Sequence, residues 1–135
     1  MIPLHSALTD QERDLIHTRN ELAQLSFTYG GNWDYDHGSF DKPLNSKHTV
    51  WLRLPFHVVQ GEMDAEVQDT EARIRFGIPL VFKHLYEDGL DQDARVSAIS
   101  GLVNQFQSPE DPDAAVEPHW VEKARSILEE VEHIL

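Results

Sequence analysis

Residues 47–59 read KHTVWLRLPFHVV, and the reading of this stretch decides the fold. Val50, Leu52, Leu54, Phe56 and Val58 alternate with Trp51, Arg53 and His57. A period of two puts the first set on one face of a β-strand and the second set on the other. An apolar face of that length must be covered, and helices are the usual cover for one side of an antiparallel sheet. Pro55 removes a backbone donor from mid-strand, so an edge position or a break in pairing is expected there.

The chain downstream continues the sheet. In residues 70–88, TEARIRFGIPLVFKHLYED, Ala72, Ile74 and Phe76 alternate with Glu71, Arg73 and Arg75. Gly77 and Pro79 predict a kink, after which Leu80, Phe82, His84 and Tyr86 share a side, so the segment reads as one long bent strand. Residues 95–107, RVSAISGLVNQFQ, fit a helix by the spacing of Val96, Ile99, Val103 and Phe106, and a strand by composition. From Pro118 the pattern is helical. Trp120, Val121, Ala124, Ile127, Leu128, Val131, Ile134 and Leu135 recur at steps of three and four, and proline suits the first turn.

Upstream, IPLHSAL (residues 2–8) reads as a short strand. Thr9 and Glu12 have the spacing of a capping box, which predicts a helix from Asp10 to Leu25 with Leu15, Ile16, Leu22, Ala23 and Leu25 on its apolar stripe. SFTYGGNWDY (residues 26–35) reads as a strand interrupted by Gly30 and Gly31.

Lys and Arg number 11 against 24 Asp and Glu, a formal net charge of −13. Such a chain repels phosphate backbones and anionic membranes, so neither nucleic acid nor lipid is an expected partner. There is no cysteine, which excludes disulfides, cysteine nucleophiles and iron–sulfur clusters. No basic leader or long apolar span is present, and a cytoplasmic protein with one domain over residues 1–135 is expected.

The runs GGNWDYDHGSFD, LRLPF, FGIPLVFKHLYEDGLD and LVNQFQSPEDPDA stand in this order. Together they resemble the YugN-like family, small proteins of Bacillus and its relatives, over nearly the whole chain. The resemblance brings no activity with it. It implies an α+β fold, similar to one half of the TATA-binding-protein saddle: a single antiparallel sheet with two helices on one face, in the order strand, helix, four strands, helix. That order makes residues 95–107 the last strand. DNA binding does not follow from the fold.

Residues 30–41 hold the densest polar cluster. Asn32, Asp34 and Asp36 stand at positions one, three and five of a calcium loop, but His37 and Pro43 occupy the places of its glycine and bidentate glutamate. The competing reading is a hairpin. Trp33, Tyr35 and His37 then alternate with Asn32, Asp34 and Asp36, and Gly38 closes a turn begun near Asp36. A divalent cation or small ligand on Asn32, Asp34, Asp36 and His37 remains the alternative. Arg53, Arg73 and Arg75 are expected on one sheet face, paired with Asp34, Asp36 or Glu71, or else lining a pocket for an anion. His84 and His57 are candidates to join His37 in a cleft. Glu130 and His133 form one Glu-x-x-His pair, and a di-iron site needs two such pairs. No GxSxG elbow, Walker A loop or dinucleotide fingerprint occurs.

The sequence therefore points to a non-catalytic binding or protein-interaction module without a cofactor, with a possible homodimer through Trp33, Tyr35 and Trp51. Ligand binding is the second reading, and an enzyme of unrecognised type is the third.

Overall fold

The computed structural model describes residues 1–30, 36–60, 72–84 and 115–135. Among the described residues, seven strands and two helices run in the order β1 (Ile2–Pro3), β2 (Glu12–Asp14), α1 (Leu15–Gln24), β3 (Thr28–Tyr29), β4 (His37–Pro43), β5 (Val50–Gln60), β6 (Arg73–Phe76), β7 (Leu80–Lys83) and α2 (Pro118–Ile134). All strand pairs among the described residues are antiparallel.

The stretch KHTVWLRLPFHVV forms the centre of this sheet. One edge of β5 pairs with β4 from Trp51 to His57. Its other edge pairs first with β7, Leu52 opposite Val81, and then with β6, Phe56 opposite Phe76. The long bent strand expected over residues 70–88 is thus β6 and β7 laid end to end, with one extra residue in the Gly77–Pro79 connection. Tyr86 lies outside the described residues, as do residues 95–107.

Pro55 is not at an edge but at the break in pairing that is its other expected place, and the reason is geometric. The N–H and C=O of one strand residue point toward the same neighbour. The Pro55 carbonyl accepts from Gly77 N at 2.8 Å, so its missing N–H faces the bulge where the ladder is already interrupted. A Cβ on Gly77 would stand 3.4 Å from the Pro55 ring, so the kink and the proline pack against each other.

Val50, Leu52, Leu54 and Phe56 are buried on one face and share a core with Phe40, Ile74, Phe76 and Val81. Leu15 and Leu22 of α1 and Ala124, Leu128 and Val131 of α2 join the same core. Both helices therefore lie on one face of the sheet. Buried side chains of this size each stabilise the fold by about 1.5–3 kcal/mol.

Helix α1 starts later than the capping box predicts. Glu12 extends β2 opposite Arg75 and spends its carboxylate on that arginine at 2.7 Å. Asp14 is the N-cap, accepting from His17 N at 2.8 Å. Thr9 sits instead in a turn, bonded through its N to the Ser6 carbonyl. At the other end, Ser26 N and Phe27 N donate to the carbonyls of Ala23 and Leu22, with Ser26 at φ 66°. This is a Schellman closure with serine where glycine is usual, and Leu22 and Phe27 are its buried apolar pair.

Helix α2 begins at Pro118, as its sequence predicts. Glu117 before it takes Lys83 Nζ at 2.9 Å, and that bond holds its carboxyl below the usual range. The far end is tied to the N-terminus: Ser6 Oγ donates to Glu132 at 2.6 Å, and Arg13 donates to the Leu135 carbonyl.

Candidate functional site

The site is built on the second face of the sheet, the one opposite the core. The alternation that buries Leu52, Leu54 and Phe56 puts Trp51, Arg53, Pro55 and His57 on this side. The register then sets their neighbours: Asp41 and Leu80 flank Arg53, Phe82 lies beside Trp51, and His37 and Arg75 flank His57.

Arg53 is held by a carboxylate and an aromatic ring. Its Nε and Nη2 donate to the two carboxylate oxygens of Asp41 at 3.0 and 3.1 Å. Its guanidinium carbon stands 4.8 Å from the centre of the Phe82 ring, a cation–π contact. The planar fork matches the carboxylate, which fixes both position and tilt. Next to it, His84 bonds through its backbone N to the Thr49 carbonyl at 2.7 Å. Burial, and then the charge of Arg53, lower the pKa of the His84 imidazole. Trp51 is half-buried, and its Nε1 donates to the His48 carbonyl at 2.9 Å.

A second group occupies the far end of β4. The rings of His37 and His57 are 6.0 Å apart between centres, and Asp36 lies 2.8 Å from His37 Nδ1. Arg75, the other neighbour of His57, is bonded to Glu12, and Arg73 reaches the same carboxylate at 3.9 Å. The Arg75 bond is the main cause of the lowered Glu12 pKa.

Between the two groups lies Ser39, fully buried. Among the described residues its hydroxyl has no hydrogen-bond partner. Gly30 lies against it: a Cβ on Gly30 would stand 2.7 Å from Ser39 Oγ and 3.1 Å from an Asp41 oxygen.

The three arginines share a face, as their alternation predicts. Among the described residues, Asp41 and Glu12 are the carboxylates that meet these arginines. Both carboxylates sit directly opposite the arginines in the ladder, while Asp36 turns to His37. Asp34 and Glu71 lie outside the described residues, with Asn32, Trp33 and Tyr35. The hairpin turn also moves. Gly38 is a β4 residue opposite Phe56, and Thr28 pairs with Asp41, so the connection from β3 is made before His37 rather than across Gly38. Glu130 and His133 are exposed on α2, beside a groove also lined by Leu25, Ser126, Glu129 and Ile134. Among the described residues, no three His, Asp or Glu side chains are grouped to hold a metal, and no helix is long and apolar enough to cross a membrane.

Sequence patterning missed Asp41, Glu12 and Ser39 as members of this face. Asp41 carried a signal, since it continues the alternation Ser39, Asp41 in SFD, but that signal is readable only once Gly38 is placed inside the strand.

The fold and this face define a small α+β protein with a polar, arginine- and histidine-bearing sheet surface. The model of the YugN-like family matches residues 3–135, and the chain belongs to that family. The uncharacterized protein YugN of Bacillus subtilis (strain 168) is 31% identical over 136 residues, covering 100% of this chain and 98% of that protein. The crystal structure of an uncharacterized conserved protein YugN from Geobacillus kaustophilus HTA426 superposes with a TM-score of 0.55 at 22% identity. That match covers 80% of this chain and 93% of the other and bears on the fold alone.

Proposed function

We propose that the chain is a non-catalytic binding module of the cytoplasm that engages a protein partner, or a second copy of itself, through the second face of its sheet. The observation that supports this reading most is Arg53, clamped by Asp41 and laid on Phe82 beside the half-buried Trp51. Arginine and tryptophan are the residues that most often anchor interfaces. An arginine already fixed in position loses little further entropy on binding, which leaves more of its contact energy for affinity. The charge of −13 argues against nucleic acid and anionic membranes as partners.

The test is light scattering over a wide concentration range, on the natural chain and on Trp51→Ala. A concentration-dependent dimer that Trp51→Ala weakens at least about tenfold supports self-association through this face. A dimer indifferent to Trp51→Ala places the contact elsewhere. A monomer at every concentration removes the self-association version and leaves a heterologous partner. That version is tested by comparing Trp51→Ala with the natural chain against partners recovered by cross-linking from Trp51-proximal positions. Equal capture by both chains overturns the assignment to this face.

A further inference from the structure

We propose that His37 and His57 chelate a divalent transition-metal ion across the β4–β5 ladder, with Asp36 orienting the His37 ring. The two residues are direct cross-strand partners, so their side chains leave the sheet side by side on the same face. Their ring centres are 6.0 Å apart. Two imidazoles on one tetrahedral ion, each with a metal–nitrogen bond of about 2.0 Å, stand with ring centres about 5 Å apart. A small rotation of the His37 side chain, which is 49% exposed, closes that difference.

The Asp36 carboxylate at 2.8 Å from His37 Nδ1 is the arrangement that metal-bound histidines commonly show. The carboxylate fixes the tautomer, turns Nε2 outward and raises the basicity of the ligating nitrogen. Imidazole ligands select zinc, nickel and copper over calcium and magnesium, which prefer oxygen. The charge around the pair permits a cation. Arg75 beside His57 is matched by its bond to Glu12, and Asp36 adds a further negative charge. With two protein ligands, the ion keeps water in its remaining positions. This site differs from a calcium loop over Asn32, Asp34 and Asp36 both in its ligands and in the ion it selects.

Calorimetric titration of chelator-treated protein with Zn²⁺, Ni²⁺, Mg²⁺ and Ca²⁺ tests it, alongside the visible spectrum of the Co²⁺ complex. One Zn²⁺ or Ni²⁺ per chain is expected, with no heat from Mg²⁺ or Ca²⁺. Replacing either ring, in His37→Gln or His57→Gln, should weaken binding about a hundredfold, and Asp36→Asn about tenfold. His119→Gln, an exposed histidine at the start of α2, should leave affinity unchanged. His37→Gln alters an exposed side chain, so its ion-free melting temperature should match the natural chain and its result stands even where His57→Gln does not fold. Unchanged affinity in His37→Gln, or an equal loss in His119→Gln, puts the ion on other histidines and overturns the proposal. So does the absence of binding by any of the transition ions.

Discussion

Arg53 and Asp41 face each other directly across β4 and β5 and join through two parallel bonds of 3.0 and 3.1 Å. The side chains are 26% and 13% exposed, so the pair is partly withdrawn from water and is worth more than a surface ion pair. Removing one partner leaves the other charge half-buried. Asp41→Ala should therefore destabilise the fold by about 1–3 kcal/mol in urea unfolding. Arg53→Lys should recover little of what Arg53→Ala loses, because an ammonium cannot make both bonds and does not lie flat on Phe82. Equal stability of Arg53→Lys and the natural chain would show that charge alone, and not the fork, holds this corner.

The C-terminus of α1 supplies a gain rather than a loss. Ser26 takes φ 66°, a conformation costly for a residue with a Cβ and open to glycine. Its side chain appears in none of the hydrogen bonds that close the helix, which use the backbone N of Ser26 and Phe27. Ser26→Gly should stabilise the protein by about 0.5–1 kcal/mol, read as a rise in the urea midpoint with an unchanged slope.

Much of the architecture is legible in the sequence, and the failures have specific causes. The core face of β5 follows from Val50, Leu52, Leu54 and Phe56 alone, and α2 from Pro118 and its apolar stripe. The start of α1 is misread because Thr9 and Glu12 satisfy the capping-box spacing, while Glu12 is committed to Arg75, a residue 63 positions away. No local pattern reports such a partner. Of the two expectations at Pro55, the break in pairing is the one realised: a missing donor costs nothing where the neighbouring strand bulges, and the bulge at Gly77–Pro79 belongs to a different segment. For the site, the alternation of Arg53, Arg73 and Arg75 gives the right face. Their carboxylate partners depend on register, which hinges on whether Gly38 is in a turn or in a strand. Gly38 is one place where glycine's freedom misleads: it is accommodated opposite Phe56 without being needed for a turn.

Gly30 and Ser39 form a tight pair at the β3–β4 contact. A Cβ added at Gly30 would come within 2.7 Å of Ser39 Oγ, and the Ser39 backbone carbonyl at 3.2 Å leaves little room to retreat. Gly30→Ala should cost about 1–3 kcal/mol by overpacking. Ser39→Ala acts in the opposite direction. It deletes a buried hydroxyl that has no partner among the described residues, and should be neutral or stabilising by up to about 1 kcal/mol. The two changes are in contact, so they should not add: Ser39→Ala removes the nearest clash and should recover part of the Gly30→Ala loss in a double-mutant cycle. Strict additivity would show that the glycine is required for backbone reasons and not for its approach to Ser39.

His84 gives the fold a pH dependence whose sign follows from its surroundings. Burial, then the positive charge of Arg53, lower its folded-state pKa below the ordinary value of 6.5. In the window just below that value the unfolded chain binds the proton and the folded chain does not, so protonation favours unfolding. The stabilising contribution is complete above the unfolded pKa and is lost as pH falls toward the folded one. Glu12 and Glu117 also have lowered pKa values, but their contribution disappears at lower pH, below the ordinary carboxylate value of 4.5, so the two windows separate. Urea midpoints measured across the range from about pH 5 to 7.5 should therefore fall on acidification in the natural chain, and fall less in His84→Gln. Replacing Arg53 by Gln should also flatten the profile, because it removes the charge that opposes the His84 proton, although it lowers stability at every pH through the loss of Asp41's partner. A slope unchanged in His84→Gln would assign the acid sensitivity in this window to another histidine.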